Sequence, residues 1–268
     1  MDPLKRNNVK VFGDGATPMV FAHGYACDQN MWRHITPSFC DQYRIVTFDH
    51  VGMGGSDLTG YAPARYDTLQ GYADDLLEVC AALELHDAIF VGHSVGAMIG
   101  VLAATRDPKR FSRMVLIGIS PRYIDEGDYV GGFTRESLEA MLAALELDYQ
   151  AVSTDTLAPL VMGNPDRPEL TRELASAFTR TDSAIASRFA RVTFLSDYRD
   201  ALPRVRTPSL VVQCAYDAIA PLAVGQYVHE QMPNSRLVMM RATGHCPNLS
   251  APTETIEVIK NFLARERK

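Results

Sequence analysis

The sequence predicts an α/β protein whose largely parallel sheet is interrupted once by a helical segment and then resumed. Three observations carry that reading. Short apolar runs rich in β-branched residues alternate with stretches of helical periodicity. The alternation stops near Pro121 and returns at Thr207-Pro208. Hydrophobic residues make up 47% of the 268, enough for one sizeable core, and no internal repeat or low-complexity linker divides the chain.

Seven candidate strands follow in chain order: VKVFG (9–13), PMVFAHG (18–24), YRIVTFDH (43–50), DAIFVGH (87–93), RMVLIGIS (113–120), SLVVQCAYD (209–217) and RLVMMRATG (236–244). Between the third and fourth, YDTLQGYADDLLEVCAALEL (66–85) sets Leu69, Tyr72, Ala73, Leu76, Leu77, Val79, Cys80 and Leu83 mostly on one helical face. The 17-residue run AIFVGHSVGAMIGVLAA (88–104) is apolar enough to suggest a membrane span. Its three glycines, His93 and Ser94, and its bracketing by Asp87 and Arg106, favour a buried strand followed by a buried helix. From Pro121 to about Asp197 there are helical segments such as ESLEAMLAALELDYQAV and RPELTRELASAF, with turn signals at GDYVGG and GNPDRP. The expected division is a core of residues 1–120 and 198–268 with a helical insertion at 121–197. A last helix, about 252–266, has Pro252 in its first turn, buries Ile256, Ile259, Phe262 and Leu263, and runs into a basic ARERK tail suited to a helix C-terminus.

Charge and composition narrow the function. A net charge of −6 and a pI near 5.6, with no lysine-arginine cluster, argue against nucleic acid or an anionic membrane as partner and favour a small or apolar ligand. The five cysteines, Cys27, Cys40, Cys80, Cys214 and Cys246, are scattered and form no C-x-x-C pair, so reduced thiols in a cytoplasmic protein are expected. The N-terminal MDPLKRNNVK has no apolar stretch of the kind a secretory signal carries. No metal-ligand spacing is present, and the glycines of VGMGGSD do not fit G-x-G-x-x-G. Neither a metal nor a cofactor is expected, and that loop reads as a turn near the active site.

The chemistry centres on FVGHSVGA (90–97). Gly92-His93-Ser94-Val95-Gly96 fits G-x-S-x-G, the strained strand-to-helix turn that exposes a nucleophilic serine between neighbours small enough to tolerate it. A serine becomes a nucleophile only with a base to take its proton and a carboxylate to orient that base. Asp217, at the end of SLVVQCAYD, and His245, after RLVMMRATG, follow in the order serine, acid, histidine, each at a predicted strand end. In open α/β sheets such ends converge on one crevice. His50 and His93 are further histidines near these motifs; chain order favours His245 as the base and leaves His93 packed beneath the turn. The backbone N–H of Val95, and that of Tyr25 in the early loop His23-Gly24-Tyr25-Ala26, would form an oxyanion hole. Cys27 and Cys246 flank these motifs, with inert thiols the favoured reading.

Over about Asn8 to Leu263 the chain resembles the RsbQ-type α/β hydrolases, a bacterial stress-signalling group similar to the plant karrikin and strigolactone receptors. The resemblance lies in NNVKVFGDG, CDQNMW, DHVGMGGSDL, RYDTLQGYADDLLEVC, VGHSVGAMIGVLA, SPRYIDEGDYVGGF, FLSDYRDALP and GHCPNLSAP. It implies the α/β-hydrolase fold, with the 121–197 insertion forming a four-helix lid over a deep hydrophobic pocket. It also implies Ser94, Asp217 and His245 at the pocket floor, with Tyr25, Tyr123, Phe133, Phe194 and Ile219 in its wall. Where the common family loop reads HGFG, this chain has HGYA.

The expected activity is a serine hydrolase acting on a small hydrophobic ester or lactone. A different class of function is a ligand-sensing protein, with slow or single-turnover hydrolysis of a butenolide-type ligand, that acts through a protein partner such as a stress-response phosphatase; the resemblance alone motivates it. A cofactor-free haloperoxidase or C–C bond hydrolase would share the same three residues. A haloalkane dehalogenase is disfavoured, because its nucleophile is a carboxylate where this chain has Ser94.

Overall fold

The computed structural model describes residues 1–265. Each of the seven apolar runs becomes a strand: β1 (Lys10–Phe12), β2 (Thr17–Ala22), β3 (Tyr43–Thr47), β4 (Ala88–His93), β5 (Phe111–Ile117), β6 (Ser209–Gln213) and β7 (Ser235–Met239). They form one sheet in the order β1-β3-β2-β4-β5-β6-β7. All neighbours are parallel except β1, which runs antiparallel to β3. The edge strand β1 is exposed along its length, whereas every residue of β4 is buried, as central strands of a sheet covered on both faces must be.

Before the site the chain adds α1 (Pro3–Arg6), α2 (Leu69–Ala82) and α3 (Val95–Arg106). The uncharged run 88–104 divides at Ser94 into β4 and α3, and α3 is buried from Val95 to Ala104. Gly100 lets it settle on the sheet, since a Cβ there would lie 2.0 Å from the Phe90 ring. Among the described residues no helix is long and apolar enough to cross a membrane.

Between β5 and β6 the chain leaves the sheet and forms α4 (Arg135–Leu147), α5 (Tyr149–Val152), a π-helical turn at Ser153–Leu157, α6 (Ala158–Met162), α7 (Pro168–Thr179) and α8 (Ser183–Phe194). Local chemistry starts and stops these helices. Thr134 accepts the Ser137 N–H, Asp182 accepts those of Ala184 and Ile185, Pro168 opens α7, and Gly163 closes α6 at φ 63°. The two ends of the segment are pinned together: Arg122 pairs with Asp197 and Glu126, Arg199 pairs with the same two carboxylates, and the Tyr198 N–H donates to the Pro121 carbonyl at 2.9 Å. Two more ion pairs, Arg33–Glu173 at 2.7 Å and Arg180–Asp28 at 3.2 Å, join the α7 region to residues flanking the 3-10 turn Gln29–Trp32.

After β6 come α9 (Leu222–Gln231), α10 (Pro247–Ser250) and α11 (Pro252–Arg265). Glu266, Arg267 and Lys268 of the basic tail lie outside the described residues. Strands β6 and β7 stop short of the apolar pattern, at Gln213 and Met239. Beyond them the two segments stay joined by single hydrogen bonds, from Met240 N–H to the Gln213 carbonyl at 2.8 Å, from Ala215 N–H to the Ala242 carbonyl at 2.9 Å and from Gly244 N–H to the Tyr216 carbonyl at 2.7 Å, and by the Tyr216↔Thr243 bridge. Asp217 and His245 therefore stand on loops.

The sheet order reverses at β2, with β3 on one side of it and β4 on the other. Such a switch point leaves a crevice outside the carboxyl ends of the two strands. Ala22 pairs with Gly92 there, bringing the loop after β2 against the turn after β4.

Candidate active site

Ser94 sits at φ 55° and ψ −126°, a conformation costly for any residue with a Cβ. The turn is held by the Ser94 N–H, which donates to the Ile117 carbonyl at 2.8 Å. The flanking glycines are required by space. A Cβ on Gly96 would lie 2.3 Å from the His23 carbonyl oxygen, and one on Gly92 would lie 2.6 Å from the Ala97 Cα.

The Ser94 hydroxyl is 2.8 Å from His245 Nε2, and His245 Nδ1 is 2.7 Å from Asp217 Oδ2. The second Asp217 oxygen accepts the N–H groups of Ile219 at 2.8 Å and Ala220 at 3.0 Å. All three side chains are buried. Burial pushes the Asp217 carboxyl up, but the His245 ring and these two N–H donors outweigh it and hold the group below the usual carboxylate range. An ionised Asp217 keeps the imidazole proton on Nδ1, leaving Nε2 free to accept from the serine hydroxyl. Gly118, at φ 59°, makes room for the ring: a Cβ there would lie 3.1 Å from His245 Cε1.

The loop after β2 approaches as closely. A Cβ on Gly24 would lie 2.7 Å from His93 Nδ1 and 3.4 Å from Ser94 Cβ. Ala26 takes φ 49° to complete the bend. The N–H of Tyr25 in this loop, and that of Val95 at the start of α3, donate to no other group among the described residues. Two unpaired donors thus flank the serine.

Beneath the loop lie His23, His50 and His93. The His50 N–H donates to His23 Nε2 at 3.0 Å, and His50 Nε2 donates to the His23 carbonyl at 3.0 Å. His93 Nε2 donates to the His245 carbonyl at 2.7 Å. Burial lowers the affinity of all three for a proton, and burial with the nearby His245 pulls His93 down to about 3. They are neutral packing and hydrogen-bonding groups. Among the described residues no three His, Cys, Asp or Glu side chains are grouped to hold a metal ion.

Ser94 and His245 face a cavity of about 20 Å³, room for a single water. Of the residues singled out in the sequence, Tyr25, Tyr123, Phe194 and Ile219 line it. Phe133 does not; its backbone instead brackets Tyr123, its N–H donating to the Tyr123 carbonyl at 3.1 Å. Val161, Leu174, Phe178 and Thr193 line the cavity too, and no sequence signal distinguished them, because helical periodicity does not say which neighbour a buried face meets. The Tyr25 ring packs against Phe178, Phe189 and Phe194, and its hydroxyl donates to the Ala186 carbonyl of α8 at 3.1 Å. The Tyr123 ring packs edge-on against Phe194, 5.0 Å between centroids. Cys27 and Cys246 also border the cavity, with burial pushing both thiols far up. Larger hollows, about 760 Å³ between α4 and α8 and about 310 Å³ beside Arg33 and Glu173, are lined by charged groups and contain no member of the serine-histidine-aspartate chain.

Comparison with known proteins agrees with this fold. Residues 19–258 match the alpha/beta hydrolase family. Karrikin insensitive 2 receptor CA of Petunia hybrida is 35% identical, covering 94% of each chain. Strigolactone esterase RMS3 of Pisum sativum is 37% identical, covering 92% of each chain. The solved structure of a hydrolase from Oleispira antarctica is 40% identical with a TM-score of 0.95, covering 98% of this chain and 96% of the other.

Proposed function

Because the chain belongs to the alpha/beta hydrolase family, we propose that it hydrolyses a small hydrophobic ester or lactone by nucleophilic catalysis at Ser94. The observation that carries this reading is the buried hydrogen-bonded chain from Asp217 through His245 to a serine held at φ 55°. His245 Nε2 takes the hydroxyl proton as Ser94 Oγ attacks the carbonyl carbon, and Asp217 stabilises the imidazolium that forms. The carbonyl oxygen becomes an oxyanion bound by the Tyr25 and Val95 N–H groups. Collapse expels the alcohol, which receives its proton from His245. A water then attacks the acyl-serine by the same route and releases the acid. No step calls for a metal or cofactor. Residues 121–197 act as a lid over the cavity, and Tyr25, Tyr123, Phe194 and Ile219 form its substrate wall.

A second reading has one observation in its favour: the cavity has a volume of only about 20 Å³, so an ester-sized ligand fits only by displacing side chains. Slow turnover and ligand-dependent binding of a protein partner would follow from such a rearrangement. Neutral buried thiols and the acidic surface fit a cytoplasmic location for either role.

The test is an intact-mass time course with p-nitrophenyl butyrate and with a butenolide probe, comparing the protein with Ser94→Ala. Multiple turnover without a lasting adduct supports the hydrolase, and a persistent adduct on Ser94 or His245 supports the sensor. Full turnover by purified Ser94→Ala overturns both.

A further inference from the structure

One group in the cavity wall is out of keeping with the rest. Thr193, in the last turn of α8, is 2% exposed and lines the cavity, and its hydroxyl has no hydrogen-bond partner among the described residues. A helical threonine ordinarily bonds the carbonyl one turn back. Thr179 does so in α7, reaching the Ala175 carbonyl at 3.0 Å. Other hydroxyls of the cavity are engaged, Tyr25 with the Ala186 carbonyl and Ser94 with His245. A valine would fill the same shape among Phe178, Phe194 and Ile219 without burying an unbonded polar atom.

We propose that Thr193 is a specificity-determining residue whose hydroxyl binds a second oxygen of the substrate, a ring ether, hydroxyl or further carbonyl distinct from the scissile one. The substrate class narrows to small, mostly apolar esters or lactones carrying one such oxygen. This rests on the serine-hydrolase reading. A site built around a buried polar group discriminates against analogues that leave the group unpaired, which a wholly apolar pocket does not.

Two isosteric pairs test it: p-nitrophenyl methoxyacetate against p-nitrophenyl butyrate, with the oxygen in the acyl part, and 2-methoxyethyl acetate against butyl acetate, with the oxygen in the alcohol part. Within each pair the readout is the ratio of kcat/KM, oxygenated over apolar, which cancels any general loss of activity. Thr193→Val lowers that ratio by about 3- to 10-fold in at least one pair, the worth of one neutral hydrogen bond, and Thr193→Ser retains it. Equal loss within both pairs, or unchanged ratios, overturns the proposal while Ser94-dependent hydrolysis stands. Absence of Ser94-dependent hydrolysis of all four esters overturns the hydrolase reading itself.

Discussion

The backbone N–H of His245 donates to the carbonyl of Val161 at 2.9 Å. That carbonyl lies in the last turn of α6, where no intrahelical donor remains to satisfy it. Alongside, the Asn164 side-chain amide donates to the Thr243 hydroxyl at 3.0 Å. The helical segment between β5 and β6 therefore holds the loop that carries the imidazole, and the sheet alone does not set where His245 stands.

Gly244 is the point of closest approach. It adopts φ +82°, and a Cβ there would lie 1.9 Å from the Met162 carbonyl oxygen. Gly244→Ala must push α6 and the His245 loop apart. Misplacement on the scale of 1 Å costs on the order of 100-fold in rate, so kcat on p-nitrophenyl butyrate should fall by about that factor. Steady-state kinetics on protein verified as folded by circular dichroism decide it, and wild-type kcat would contradict the coupling.

Arg122 clasps the two ends of the same segment. Its side chain is 8% exposed and pairs at 3.0 Å with both Asp197 and Glu126. Arg122→Gln should cost about 2 kcal/mol, below the value for a fully buried pair because both carboxylates are partly solvated, and lower Tm by roughly 4–8 °C. Arg135, 60% exposed and 3.6 Å from Glu139, offers the contrast. Arg135→Gln should change stability by less than about 0.5 kcal/mol. Melting curves of the two variants side by side would show equal shifts if burial were irrelevant.

His93 makes stability fall with acid. Its folded value of about 3 lies below the ordinary 6.5, so between those limits the unfolded chain binds one more proton than the folded one. Stability then decreases as pH falls through that window, by up to about 1.4 kcal/mol per pH unit for each such histidine. His23 and His50, also lowered, act in the same direction. Asp217, held below the ordinary carboxylate value, adds stability that is present above that value and lost on further acidification. Urea unfolding at pH 4.5–6.5 should show a slope shallower by about one proton in His93→Gln; an identical slope would mean that His93 ionises within the fold.

The seven strands were legible because β-branched runs and turn residues act over a few positions, and each run lies in the sheet. Strand ends were less so. The strand-like run SLVVQCAYD continues to Tyr216, yet the regular ladder stops at Gln213 and gives way to single bonds such as Ala215 N–H to the Ala242 carbonyl, because strand length depends on the register of the neighbour and not on the run itself. Phe133 and Phe178 look alike as aromatics of the helical stretch, but Phe178 lines the cavity and Phe133 does not. Thr193 reads in sequence as one more helical threonine. Only its missing partner sets it apart.

The sequence by itself determined the alternation of strands and helices, the fold class, and the glycine-flanked turn at Ser94, all consequences of sterics between near neighbours along the chain. Tertiary structure decided what meets Ser94: a histidine 151 residues away, a loop brought beside it by the reversal of strand order at β2, and a wall contributed by helices far along the chain. It also decided that the cavity is small and that α6 holds His245. Those outcomes depend on which elements pack together and how closely, and residues separated by half the chain acquire a distance only when the sheet order and the packing above it are set.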